Sequence, residues 1–131
     1  MKVTVNYLEG WKFESVCGDH KVTVDLPTSS GGKDEAPTPP QYFLTSLASC
    51  VGVYVVSYCE SARLDAKGMQ ISITADKISH PNRIDNIKID ITLPNAQVGK
   101  RKEALLSVAK NCLIHNTMLH HPKMDINLVS E

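Results

Sequence analysis

The run from Tyr42 to Cys59, YFLTSLASCVGVYVVSYC, is eighteen residues without a charge, and it follows Pro39 and Pro40. A segment this apolar must be hidden from water, so the rest of the fold has to be organised around it. The prolines mark a helix start, because the N–H groups they lack would have no intrahelical partners. Phe43, Leu47, Cys50 and Tyr54 then recur at helical spacing, with Leu44, Val51, Val55 and Tyr58 as a second row beside them. Between Val51 and Val56 nearly every position is apolar, which predicts a helix covered on most sides at the centre of the core. The length is near that of a bilayer span. Thr45, Ser46, Ser49, Gly52 and Ser57 inside the run, its neutral flanking loop and the strand-like remainder weigh against a span, so no membrane partner is expected.

The flanking segments alternate instead. Val3, Val5 and Tyr7, then Trp11, Phe13 and Ser15, predict two strands joined at Glu9-Gly10, and KVTVDLP from Lys21 a third after the Gly18-Asp19 turn. TSSGGKDEAPTPP supplies turns but no core. MQISITADKI and RIDNIKIDITLP, separated by His80-Pro81-Asn82, predict a long hairpin. RKEALLSVAKNCLIHNTML predicts a second helix ended by Pro122, and KMDINLVS a last short strand. Strands grouped around two helices argue an α+β fold of antiparallel sheets around a long central helix, in a single domain over residues 1–131. One small sheet cannot cover so apolar a helix, and burial against a second copy in a homodimer is the expected solution.

Composition removes several function classes. The chain carries 14 basic and 14 acidic residues and no net charge, so it has no electrostatic footprint for nucleic acid. The N-terminus lacks the apolar block of a secretory signal, which predicts a cytoplasmic location. In a reducing compartment Cys17, Cys50, Cys59 and Cys112 are free thiols, ligands or redox residues rather than structural disulfides. Cys112 with His115, His120 and His121 invites a zinc reading, but the spacing is not a standard pair, and histidines before Pro122 suit a helix terminus. No metal is expected.

Two segments carry a resemblance. GGKDEAPTPPQYFLTSLASC and, some sixty residues on, KNCLIHNTMLHHP resemble the OsmC/Ohr family of thiol-dependent peroxidases and their relatives. The second matches a family pattern close to C-x-[VI]-[SH]-x-[ST] at Cys112, Ile114, His115 and Thr117. The resemblance implies an intertwined OsmC-like homodimer with its active sites at the subunit interface. It implies catalysis by Cys50 and Cys112 on an organic hydroperoxide, a dithiol reductant as second partner, and no cofactor. Gln41, Tyr42, Tyr54 and His115 are the expected substrate-binding residues. Cys17 and Cys59 match no family position and are expected as core or strand-face thiols, and Trp11 as an anchor of the first hairpin.

The chain departs from the pattern where the family's peroxidases use an arginine held by a glutamate. No arginine precedes Arg63, and Pro39-Pro40-Gln41 stands in place of the acidic residue. A cysteine thiol titrates near about 8.5 unless a cation or helix N-terminus favours its thiolate, and Cys50 lies beyond the first helical turn. His115, Lys12, Lys21, Lys33 or His20 would have to substitute, and weak peroxidase activity or a different substrate is expected. The alternative is a non-catalytic protein of the same fold that binds an apolar small molecule in an interface pocket lined by Tyr42, Phe43, Tyr54 and Met118.

Overall fold

The computed structural model describes residues 1–130. The architecture is α+β, with two antiparallel sheets and three α-helices. The chain divides after Thr45 into two units.

The first unit holds a meander, β1 (Thr4–Glu9), β2 (Lys12–Cys17) and β3 (His20–Val24), in the order β1-β2-β3. The register pairs Val5 with Ser15 and Ser15 with Val22, and pairs Tyr7 with Phe13 and Phe13 with Val24, so these residues share one sheet face. Tyr7 and Phe13 meet edge to face, with ring centroids 5.6 Å apart. The face is nevertheless open: Val5 is 57%, Tyr7 64% and Val22 40% exposed. The buried residues of this unit are polar, Ser15 and Asp25. Burial alone would push the Asp25 carboxyl up, but it accepts the backbone N–H groups of Glu35, Leu26 and Lys33 and feels Lys12, and the result is a carboxyl below its usual range. Asp25 thereby pins the GGKDE loop to the end of β3. Trp11 lies in the β1–β2 turn, where it is 56% exposed, and its ring covers Gly31.

Helix α1 (Pro39–Ala62) starts in the first unit and continues in the second. Its start is a reciprocal cap: Thr38 N–H donates to Gln41 Oε1 at 2.8 Å and Gln41 N–H donates to Thr38 Oγ1 at 3.4 Å. Its end is a Schellman turn, with Leu64 N–H donating to the Cys59 carbonyl, Arg63 N–H to that of Glu60, and Arg63 at φ 55°.

In the second unit, β4 (Gln70–Ile78) and β5 (Arg83–Thr92) form the predicted hairpin, with Ile71 opposite Ile91 and Ile73 opposite Ile89 on one face. That face packs on Leu47, Val51, Val55 and Cys59, the buried row of α1. A Cβ at Gly52 would stand 3.1 Å from Ile71 Cδ1, so glycine sets how closely helix and sheet approach. Leu105, Ala109 and Cys112 complete the buried core. Cys59 is fully buried, which pushes its thiol up and makes it a packing residue.

Three expectations are corrected. The second helix is broken: α2 (Lys102–Lys110) stops at Asn111, Cys112 is extended at φ −69° and ψ 153°, and α3 (Leu113–Leu119) restarts behind it. The helical periodicity continues through the break because Cys112 stays on the buried face as a cap. KMDINLVS forms no strand, since no neighbouring strand pairs with it, and Met124, Ile126 and Leu128 are 81–98% exposed. Helix α1 is not covered on most sides. Only 28% of its most apolar window is buried, and Val53 is 67% exposed. Although α1 is long and apolar enough to cross a membrane, its buried row makes it the core helix of this unit.

Candidate functional site

The site is built where α1 meets the α2–α3 break. Cys50 is carried one residue before the buried Val51 and is half-buried, packed against the core. Cys112 is fully buried at the N-cap of α3, where its Sγ accepts the His115 N–H at 3.4 Å. The two thiols are neighbours, close enough for Cys50 to influence the Cys112 proton. Burial is the largest influence on Cys112 and pushes its thiol up. The N–H groups of His115 and Ile114 act in the opposite sense, while the hydrogen bond to Cys50 and negative charge there raise it further.

The other expected site residues fall into two groups. Tyr54, one turn after Cys50, lines an open recess of about 740 Å³ with Asn111, Leu113, Asn116 and Thr117. His115 faces a different recess, and its Nδ1 meets the Lys110 carbonyl, which can only accept, so Nδ1 carries the hydrogen. Gln41 is spent on capping α1, and the Tyr42 hydroxyl donates to the Thr23 carbonyl at 2.6 Å. Met118 packs against the core, and Phe43 is 38% exposed.

The candidate cations also have partners. Lys12 bonds the Glu35 carboxylate, which holds its ammonium above the usual range, and reaches Glu9 at 4.0 Å. Lys33 pairs with Glu9 at 3.3 Å and Lys21 with Glu14 at 3.7 Å. Among the described residues no three His, Cys, Asp or Glu side chains converge as metal ligands, and His120 Nδ1 instead meets the Asn116 carbonyl.

Sequence reasoning missed Asn111 and Asn116, whose side chains bond each other at 3.0 Å and brace the break at the Cys112 cap. The available signal was the Asn-Cys pair itself: asparagine suits a helix end and a short polarisable side chain suits an N-cap.

Comparison with known proteins gives the same family. The model for OsmC-like proteins matches residues 32–127. No curated protein matches by sequence. Among solved structures, a protein of Psychrobacter arcticus 273-4 named for osmotic stress induction and a detoxification response superposes with a TM-score of 0.81 at 22% identity, over 89% of this chain and 87% of that one. The organic hydroperoxide resistance protein OhrB of Bacillus subtilis gives 0.57 at 17% identity, over 92% and 90%. A Vibrio cholerae protein named for organic hydroperoxide resistance, with captopril bound in one of its active sites, gives 0.64 at 13% identity, over 92% and 86%.

Proposed function

Because the chain belongs to the OsmC-like protein family, in which hydroperoxide resistance proteins share its fold, we propose that it is a thiol-dependent redox protein that reduces organic hydroperoxides through Cys50 and Cys112. The observation that carries this reading is the placing of a half-buried thiol beside a fully buried one in the same unit.

In the proposed cycle the Cys50 thiolate attacks one peroxide oxygen, the O–O bond breaks, and the alkoxide takes a proton and leaves as the alcohol. Cys50 is then a sulfenic acid. Cys112 sulfur attacks Cys50 sulfur, its proton leaves with the hydroxyl as water, and the two cysteines are joined. A dithiol reductant restores both thiols. Because burial raises the Cys112 thiol, its proton has to be lost as its sulfur attacks, and the departing hydroxyl is the group that takes it. Tyr54 is proposed to contact substrate from its recess, and His115 to support the site by the backbone N–H it donates to Cys112. The lysines engaged by carboxylates leave Cys50 without the family's arginine–glutamate pair, which favours slow turnover.

We further propose that residues 1–131 act as one domain in a cytoplasmic homodimer. The open apolar face of β1–β3, the exposed flank of α1 and the alternation Met124, Ile126, Leu128 are surfaces that a second copy would bury.

The test is consumption of cumene hydroperoxide by the reduced protein with dithiothreitol, alongside Cys50→Ser and Cys112→Ser. Loss in Cys50→Ser, trapped sulfenic acid in Cys112→Ser and a Cys50–Cys112 disulfide in the oxidised wild type are expected. No consumption and no disulfide would leave the non-catalytic, apolar-ligand reading.

A further inference from the structure

A second recess in the unit from Ser46 onward, of about 210 Å³, is not lined by either thiol. Its wall is made by every other residue of one strand, Ile87, Ile89 and Ile91 of β5, closed by Val51 of α1 and by Leu106 and Ala109 of α2. The polar residues on its lining are Lys110 and His115, and no carboxylate lines it. Among the described residues no acidic side chain forms an ion pair with Lys110. The recess therefore joins an apolar wall to a rim that carries an exposed lysine and no carboxylate, which is the pattern of a site that orients one ligand by a single charged end.

We propose that this recess binds a small organic anion with an apolar body of about six to eight carbons, its charged end at Lys110 and its body against the isoleucines of β5. The size follows from volume: a dry apolar cavity of about 150 Å³ holds benzene, and this one is somewhat larger. The charge sign follows from the lining, where a cation would face Lys110 with nothing to pair with, and an uncharged molecule would gain nothing from it. The thiols play no part in this binding. His115 nevertheless belongs to both places, lining the recess and donating its backbone N–H to Cys112.

The experiment titrates hexanoate into the full-length reduced protein, with hexylamine and 1-hexanol as controls of equal length, read by calorimetry and by amide shifts of Ile87, Ile89 and Ile91. With about eight heavy atoms, hexanoate should bind with a Kd on the order of 1 mM and more tightly than either control. Lys110→Gln, an exposed substitution, should weaken it about fivefold, and Ala109→Leu, which fills the recess, should abolish it. Cys50→Ser/Cys112→Ser should bind as wild type does, so that failure of the thiol chemistry and failure of this site are separate results. No hexanoate binding (as when a second copy covers the recess), equal binding of all three probes, or undiminished binding in Lys110→Gln would each overturn the proposal.

Discussion

Cys112 shows how one residue can be read correctly for its chemistry and wrongly for its backbone. Its helical spacing with Leu105 and Ala109 is real, because all three are buried together, yet the chain leaves the helix there so that the sulfur can accept an N–H from the next turn. A burial-raised thiol has a direct signature. In Cys50→Ser, where the pair is reduced to one cysteine, alkylation of Cys112 by iodoacetamide at neutral pH should be slower than that of a free thiol, whose pKa is about 8.5, and should accelerate only at higher pH. The same sign governs stability: the folded protein prefers the neutral thiol, so the contribution is complete below the unfolded pKa and is lost as pH rises through the higher folded value. Mass spectrometry of alkylated peptides across pH is the check, and labelling as fast as in the unfolded chain would contradict it.

At the scale of elements, the ends of α1 are better defined than its middle. The Schellman turn places Arg63, a residue with a Cβ, at a positive φ that glycine adopts without penalty. Arg63→Gly should therefore raise stability by about 0.5–1 kcal/mol, measured by urea unfolding, and a loss would mean that the arginine side chain has a compensating role. The start of the helix was legible in Pro39 and Pro40, but Gln41, expected at the substrate, is engaged by Thr38. Capping is decided by φ, ψ and side-chain reach, which residue type alone leaves open. The β4–β5 hairpin was legible because its alternation runs the length of both strands. KMDINLVS has the same alternation and no strand, since pairing depends on a neighbour as well as on pattern.

For the whole molecule, the fold class and family were legible from two motifs and the order of elements, whereas the exposure of α1 was not. Apolar composition states that a surface must be covered but not which chain covers it. If a second copy does so, the melting temperature should rise with protein concentration, and light scattering should give twice the mass of the 14.4 kDa chain. A concentration-independent transition at monomer mass would rule this out. One further consequence lies in the order of synthesis. No apolar side chain before Leu47 is buried, so a ribosome has extruded the entire β1–β3 meander before the chain possesses any core to fold upon. Those strands leave the ribosome with an apolar face that the finished chain does not itself close, and until that face is covered the nascent chain has the greatest need of a chaperone.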